Sequence, residues 1–422
     1  MQEKRKEHAV VIGLDTMQGL QTARILASHD IPVIGVAANS RHHACRTRVC
    51  ERIVVTDTSA GTLIGELLAL GQSLESKAVL FPCHDHCVSL ISRRREELQD
   101  LFHIMLADAA VVDMLADKIS FYRFVKNLSV KVPQTHILRQ PSDALDIAPR
   151  LEYPCVIKPV IRTPQWNSQT MSKAFHVADA REFLAVYEKV HGWTTELMVQ
   201  QWIVGDDSHL YSCNVYFDRD SKPVTSFTAR KLRQWPPRVG SSCFGEEVRN
   251  DEVRDASLRI FRQAGYVGLG YIEMKQDQRS GVHYAIEANV GRPTGRSAIA
   301  EAGGVDMLLA MYCDATGRPM PEGLEQTYAG VKWIDLRHDV QSAVFYIRNG
   351  ELTVGNWLRS LRGRKAYAVF SWRDPLPFLA DLWNAARIAM SREERKRRNH
   401  SRAVKSQAAA AALPSVSEEK KL

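Results

Sequence analysis

The chain has 422 residues, of which 45% are apolar and 25% are charged, the balance of an ordinary folded protein. This length predicts two or three packed domains rather than one. The composition excludes a largely disordered chain and a collagen-like rod. A protein with many membrane spans is excluded because no stretch comes near the roughly 18 apolar residues that a transmembrane helix needs. The amino terminus predicts a short strand, broken by Gly13 and Asp15, and not a secretory signal.

Most of the net charge of +8 lies near the end of the chain. Residues 391–407 carry seven Lys or Arg against two acids, a net +5, so that the rest of the chain carries about +3. We therefore expect a disordered basic tail over 391–422 and no specific nucleic-acid binding by the folded body. The eight cysteines form no CxxC pair, which favours free thiols and a cytoplasmic location.

Strands and helices alternate over the first hundred residues, which predicts a parallel, doubly wound α/β sheet. The predicted strands are His8–Leu14, Ile31–Val36, Arg52–Val55 and Ala78–Phe81, and the predicted helices are Gln18–Ser28, Thr62–Leu70 and Cys87–Leu98. The first turn, Gly13 to Gly19, has some likeness to a dinucleotide-binding loop. It lacks the GxGxxG spacing, and no acid ends the second strand, so a structural turn is favoured over NAD or FAD binding.

Short strands rich in Val, Ile, Tyr and Phe follow a helix predicted over Asp117–Leu128 and a linker that contains Pro133. This pattern indicates an α+β unit with antiparallel pairing. The predicted strands are Tyr153–Val160, Ala174–Val177, Glu196–Ile203, His209–Asp218, Val224–Ala229, Gly268–Lys275 and Val282–Asn289, and the predicted helices are Ala180–Val190 and Asn250–Ala264.

Three oxygen-bearing side chains stand out on the last two of these strands. Glu273 lies in GYIEMK, while Glu287 and Asn289 lie in YAIEANVGRPTGR, two residues apart and therefore on one face of a strand. A flanking antiparallel strand would bring Glu273 beside them, and such hard oxygen donors suit Mg²⁺. The alternative is that the acids cover a solvated sheet face. Two acids within apolar strands, followed at once by Gly-Arg-Pro-Thr-Gly-Arg, favour the metal.

Two lysines supply the complementary positive charge. Lys158 ends the apolar strand YPCVIKP, where a lysine is unusual unless it meets an anion. Lys173 opens the next strand, after a connection that could fold over phosphates. Either lysine alone is more often a surface residue, but together with the acids they predict a nucleoside triphosphate site.

The order of the motifs resembles the ATP-grasp superfamily, specifically its carboxylate–amine ligase branch, over residues 8–320. The motifs are VLFPCHDHCVSLIS, LADKISFYRF, VPQT, YPCVIKPV, MVQQWIVGDD and GYIEMK…IEANVGRPTGR…AEAGGVD. The resemblance implies a Rossmann-like pre-ATP-grasp domain at 1–115 and a two-lobed ATP-grasp domain with lobes at 116–200 and 201–320. An α-rich extension at 321–390, with helices near Val340–Tyr346 and Thr353–Leu361, is expected to pack on the body.

The resemblance also implies an activity and roles for single residues. ATP and one or two Mg²⁺ would bind between the lobes, and a small amino-acid-like carboxylate would join an amine through an acyl phosphate. The implied ligands are Lys118, Lys158 and Lys173 for the phosphates, the stretch Gln200, Gln201, Trp202 and Ile203 for the adenine edge, Asp207 for the ribose, and Glu273, Glu287 and Asn289 for the metal. Arg292 would stabilise the transferred phosphoryl group, and Asp85 would touch the amine. Rival interpretations are acyl-phosphate chemistry without amide formation and a non-catalytic ATP-binding protein; a homodimer is expected.

A basic stretch, TARKLRQWPPR, could hold anionic substrates together with Arg296, because guanidinium groups match carboxylates. We favour Arg230 and Arg233 as this clamp, and the alternative is a solvated basic strand edge. The connection between Lys158 and Lys173 contains no glycine, whereas many family members have a glycine-rich flap there. Hydroxyl groups of Ser168, Thr170 and Ser172 are the substitute phosphate contacts.

Two further segments have competing interpretations. In Cys83-His84-Asp85-His86-Cys87, consecutive residues cannot all face one ion and no second ligand set accompanies them, so zinc is disfavoured. The segment Phe378–Met390 has an apolar face followed by basic residues. It either packs on the protein's own body, which we favour, or docks weakly on an anionic membrane or a protein through 378–407.

Overall fold

A computed structural model describes residues 6–391 apart from positions 162, 171, 173, 239, 296 and 389. The predicted phosphate ligand Lys173, the predicted substrate ligand Arg296 and the basic tail beyond Ser391 lie outside the described residues. No helix in the described ranges is long and apolar enough to cross a membrane.

Five parallel strands form the first sheet, in the order β3-β2-β1-β4-β5. The strands are β1 (Ala9–Ile12), β2 (Val33–Ala37), β3 (Cys50–Val55), β4 (Ala78–Pro82) and β5 (Phe102–His103). The helices of this part are α1 (Met17–Ser28), α2 (Thr62–Gln72), α3 (Asp85–Arg93), α4 (Arg95–Leu98), α5 (Ala109–Ala116) and α6 (Lys118–Lys126). Strands β1, β2 and β4 are buried throughout, as expected of a sheet with helices on both faces. The predicted doubly wound sheet is confirmed.

The second sheet is antiparallel and has the order β6-β9-β7-β8. Its elements are β6 (Thr135–Leu138), α7 (Pro141–Ile147), β7 (Cys155–Pro159), α8 (Pro164–Gln169), β8 (Phe175–Val177), α9 (Ala180–Val190) and β9 (Leu197–Gln201). The glycine-free connection after Lys158 contains the short helix α8, because Thr163 caps its first turn and Trp166 is fully buried against Phe175 and Trp193. This connection is therefore anchored by an aromatic side chain.

The third sheet has seven strands in the order β14-β13-β10-β11-β12-β15-β16. Its strands are β10 (Leu210–Phe217), β11 (Pro223–Trp235), β12 (Ser241–Glu247), β13 (Gly268–Gln276), β14 (His283–Val290), β15 (Lys332–Ile334) and β16 (Lys365–Tyr367). The helices are α10 (Asp251–Gln263), α11 (Ser297–Ala302), α12 (Met307–Thr316), α13 (Leu336–Arg348) and α14 (Val354–Ser360), and residues 376–388 form a further C-terminal helix. The segment 321–390, expected to be α-rich, also adds β15 and β16 to this sheet.

The second and third sheets face each other across a cleft, which α1 of the first domain also borders. Two buried clusters join the first sheet to the third, one containing Val10 and Val290 and the other Val11 and Phe227, while the second sheet has a buried cluster of its own. Strand β11 is longer than predicted: it runs on from Ala229 to Trp235 and carries the basic stretch into the sheet. Pairing with β12 therefore fixes the side chains of Arg230 to Trp235, which lie beyond the end of the predicted strand.

Candidate active site

A cleft of about 1510 Å³ lies between the second and third sheets. The second sheet lines it with residues of β7 and of the chain leaving β9, including Lys158 and Gln200. The third sheet lines it with residues of β11, β13 and β14, including Glu273 and Glu287. Met17, from the first turn of α1, and residues of segment 321–390 complete the wall. The predicted residues of two separate sheets therefore share one cleft.

Glu273 and Glu287 lie directly opposite each other on the antiparallel strands β13 and β14. The pairing shifts between Glu273 and Met274, because Met274 faces Ala285 and Ile286 is the extra residue of a bulge. Opposed residues have Cβ atoms about 4.5–5.5 Å apart, so the two carboxylates face one space. Asn289 donates its amide to Glu287 at 3.3 Å. The three predicted metal ligands are thus together.

A lysine missed in our choice of site residues neutralises part of this acidic cluster. The Lys231 ammonium lies 2.9 Å from Glu273, and both side chains are largely buried. Burial and the nearby Glu273 raise the pKa of Glu287, while Lys231 and Lys118 oppose this rise. Two ionised carboxylates this close repel each other, and a bound cation would reduce that repulsion.

Lys158 stands on the other side of the same space. Its ammonium donates to Gln200 Oε1 at 3.0 Å. Burial lowers the pKa of Lys158 to about 8, and the positive charge of Lys118 contributes to this shift, while Glu287 acts in the opposite direction. Lys158 and Glu287 thus line one cleft although they come from β7 and β14, and Lys118 begins α6, which packs against β14.

The predicted adenine-binding stretch leaves β9 along the cleft wall. The backbone N–H groups of Gln201 and Trp202 donate to Gln134 and Pro154, both at 2.8 Å. In the part of the chain that the structure describes, the N–H of the next residue, Ile203, has no hydrogen-bond partner. This buried residue therefore offers a free donor at the cleft.

Asp207, predicted for the ribose, lies in the cleft wall with its carboxylate already engaged. It accepts from Gln234 Nε2 and from the Tyr346 hydroxyl, both at 2.6 Å. Tyr346 belongs to α13, so segment 321–390 contributes to the site. Sequence reasoning missed this contact, which joins residues 139 positions apart.

The two arginines predicted as a substrate clamp are separated by the structure. Arg233 lines the cleft and pairs with Asp339 of α13 at 2.6 Å, while its Nη2 is buried without a partner among the described atoms. Arg230 instead pairs with Glu246. Successive strand residues point to opposite faces, so Arg230 leaves the face on which Lys231 meets Glu273. The structure does not bring Arg230 to this site.

Arg292 joins the end of β14 to the first domain. Its guanidinium donates to Asn289 and to Asp85, the first residue of α3. Gly291 makes this approach possible: its φ is +70°, and an added Cβ would lie 2.5 Å from Val88 of α3. Asp85, predicted to touch the amine, is 72% exposed and forms the other half of this ion pair.

The hydroxyl groups predicted to replace a glycine-rich flap are used inside the connection itself. Ser168 donates to Gln165, and Ser172 donates to Ala174, while Thr170 accepts from the backbone of Ser172. The segment Cys83–Cys87 is likewise used structurally, since His84 caps α3 and the Cys87 thiol donates to the His84 carbonyl.

The residues present fit Mg²⁺ and ATP. Carboxylate and amide oxygens of Glu273, Glu287 and Asn289 are the donors that Mg²⁺ prefers. A buried lysine with a lowered pKa gains from an anion, and the unpaired N–H of Ile203 suits an acceptor on a base. The cleft therefore has separate groups for a metal ion, for the phosphates and for the base.

Comparison with known proteins gives both sequence relatives and structural neighbours, although no family model matches the chain. D-aspartate ligase of Enterococcus faecium (strain Aus0004) is 26% identical over 223 residues, 51% of this chain and 53% of that protein. D-alanine–D-alanine ligase of Pseudomonas putida (strain GB-1) is 24% identical over 198 residues, 44% of this chain and 56% of that protein. The chain thus spans about half the length of the curated relatives it matches.

Two solved structures share most of the fold. N5-carboxyaminoimidazole synthetase from Staphylococcus aureus, complexed with ADP, has a TM-score of 0.58 at 14% identity and covers 77% of this chain and 81% of its own. A biotin carboxylase–ATP complex from Campylobacter jejuni has a TM-score of 0.58 at 14% identity and covers 75% and 72%. The chain has the ATP-grasp fold. The two ligases confirm the predicted resemblance to the ATP-grasp superfamily and its carboxylate–amine ligase branch, and the solved structures share the fold.

Proposed function

We propose that this protein is an ADP-forming carboxylate–amine ligase that uses MgATP and acts on small amino-acid-like substrates. The observation that supports it most is that Lys158 lines the same cleft as Glu273 and Glu287, which stand opposite each other on neighbouring strands. Phosphoryl transfer needs positioned positive charge and no protein nucleophile, which this arrangement supplies.

The nucleotide would lie along the chain that leaves β9. The free N–H of Ile203 would bind an acceptor on the adenine edge, and Lys118 and Lys158 would bind phosphate oxygens. Lys173 is proposed as a third phosphate ligand from the resemblance alone. Glu273, Glu287 and Asn289 would hold Mg²⁺, which when bound neutralises charge on the phosphates.

The reaction has two steps. A carboxylate oxygen of the substrate attacks the γ-phosphorus, the bond to the bridging oxygen breaks, and ADP leaves. The amine nitrogen then attacks the acyl carbon, the bond to the phosphate oxygen breaks, and a proton passes from nitrogen to solvent. The products are an amide, ADP and phosphate.

Arg233 is the residue that we propose for holding a substrate carboxylate. Its side chain is only 6% exposed, and Asp339 and Ser360 fix two of its nitrogens while Nη2 lacks a partner among the described atoms. A buried guanidinium donor without a partner is costly, and a carboxylate would satisfy it. Arg296 stays a second candidate from the sequence.

A screen of ADP release tests the proposal, with each of the common amino acids as the carboxylate donor crossed with a panel of amines. We expect turnover that requires one carboxylate, one amine and Mg²⁺, and its loss in Glu287→Gln. The matched control is Lys222→Met, a substitution at a surface ion pair in which Lys222 is 71% exposed. ADP release that needs no amine would favour the rival acyl-phosphate chemistry, and equal turnover by Glu287→Gln would contradict the site.

A further inference from the structure

An apolar surface lies at the carboxyl-terminal end of the described chain. The Phe370 ring contacts the rings of Tyr367, Trp372 and Phe378, with centroids 5.4, 4.9 and 5.3 Å apart. Phe378 lies in the C-terminal helix, in which positions three and four residues apart share one side. We call the exposed members of this surface the aromatic face: Tyr367, Trp372, Leu379, Leu382 and Trp383.

The exposure of this face is large for such side chains. Trp372 is 86% exposed, Trp383 64% and Leu379 56%. Scattered apolar side chains on a surface are ordinary, but two largely exposed tryptophans within one short segment indicate a binding surface.

The inner side of the same segment is fixed to the protein body. Asp381 pairs with Arg337 of α13 at 2.8 Å, and Asp374 pairs with Arg24 of α1 at 2.9 Å. Phe378 packs against the core beneath the first sheet. The predicted packing of this segment on the body is therefore present, and it leaves the aromatic face directed outward.

The charge around the aromatic face is basic. Residues 362–388 contain two acids, Asp374 and Asp381, and both are buried in the ion pairs with the body. The exposed charged residues of this segment are all arginines: Arg362, Arg364, Arg373 and Arg387. The sequence that follows adds seven Lys or Arg against two acids over 391–407.

We propose that the aromatic face binds the surface of an anionic lipid bilayer. Tryptophan and tyrosine favour the headgroup level of a membrane, and arginines beside them attract anionic headgroups. The contact lies on the surface, since no helix in the described ranges could span a bilayer.

Flotation of the full-length protein tests this inference, with vesicles of phosphatidylcholine alone and with phosphatidylglycerol added. We expect recovery with the anionic vesicles only, weakened by salt, and roughly a tenfold loss of binding in Trp372→Ser/Trp383→Ser and in Arg373→Glu/Arg387→Glu. The matched controls are Leu145→Ser, at a residue that is 63% exposed in the second sheet's layer, and Arg181→Glu on α9; both should float like the parent.

Three results would overturn the inference: equal recovery of the parent with neutral and anionic vesicles, equal recovery of the paired variants and the parent, and absence of flotation. If flotation is absent and the parent is a dimer that Trp372→Ser/Trp383→Ser converts to a monomer in sedimentation, the aromatic face belongs to a contact with a second copy of the chain. Circular dichroism of each variant distinguishes loss of binding from loss of folding.

Discussion

The ammonium of Lys231 lies 2.9 Å from the carboxylate of Glu273, which itself faces Glu287 across the strand pair. One positive charge is therefore built into a site that holds two carboxylates. It opposes the rise in the pKa of Glu287 that burial and Glu273 cause. The lysine thus helps to keep Glu287 ionised, and only the ionised form ligates a metal well.

Replacing Lys231 by Met should shift the acid limb of metal binding to higher pH. Without the ammonium the pKa of Glu287 rises further, so Glu287 stays protonated up to a higher pH and Mg²⁺ competes less well for it. Titration of Mg²⁺ against pH measures the shift, with Lys222→Met as the control. An acid limb that stays in place, or moves to lower pH, would contradict this role for Lys231.

Binding of MgADP should be accompanied by proton uptake near pH 8. Burial lowers the pKa of Lys158 to about 8, and an adjacent phosphate raises it again because it favours the charged form. At a pH between the pKa of Lys158 in the free protein and its higher pKa in the complex, the complex holds a proton that the free protein lacks. The affinity for MgADP should therefore fall as the pH rises above about 8.

Calorimetry in buffers of different ionisation enthalpy measures this proton uptake. The Lys158→Arg variant should lose it, because a guanidinium stays charged throughout this range. Lys222→Arg should keep it. Uptake of the same size in Lys158→Arg would show that the proton belongs to another group.

Arg233→Met should destabilise the protein by about 3–5 kcal/mol, because it leaves the Asp339 carboxylate buried without its ion-pair partner. The double variant Arg233→Met/Asp339→Leu should recover most of this loss in urea unfolding. Its ATP turnover should nevertheless stay low, since the donor proposed for the substrate is gone. Full turnover in the stable double variant would mean that Arg233 is structural only.

Gly291→Ala should cost more stability than Gly281→Ala. Both glycines have a left-handed backbone, with φ of +70° and +72°, and this strain costs about 1–2 kcal/mol for alanine. At Gly281 no atom lies within 4 Å of the added Cβ, whereas at Gly291 Val88 lies at 2.5 Å. Overpacking should add about 1–3 kcal/mol at Gly291 alone. Equal urea midpoints for the two variants would show that α3 can move away freely.

The sequence predicted the fold where local patterns carry the information. Buried apolar runs separated by helices gave the parallel first sheet, and the spacing of Glu287 and Asn289 correctly predicted that they share a strand face. The pairing of Glu273 with Glu287 depends on the bulge at Ile286, because the bulge shifts the register of the two strands by one residue. No glycine or proline lies at this position, so the sequence gives no signal of the bulge.

The arginine clamp illustrates what the sequence could not supply. The predicted strand ended at Ala229, and Arg230 and Arg233 were predicted to act together on one substrate. The strand in fact continues to Trp235, and Arg230 leaves the face of Lys231. Asp339, the partner of Arg233, lies 106 residues away in the chain. A contact of this kind follows from the tertiary fold and leaves no local pattern.

The most direct test of the ligase mechanism is isotope transfer, measured with the substrate pair that the ADP-release screen identifies. The carboxylate donor is labelled with ¹⁸O, and the released phosphate is examined by ³¹P NMR. The acyl-phosphate route predicts one ¹⁸O atom in the phosphate for each amide formed, because the attacking carboxylate oxygen leaves with phosphorus. Phosphate free of label, with amide still formed, would contradict it.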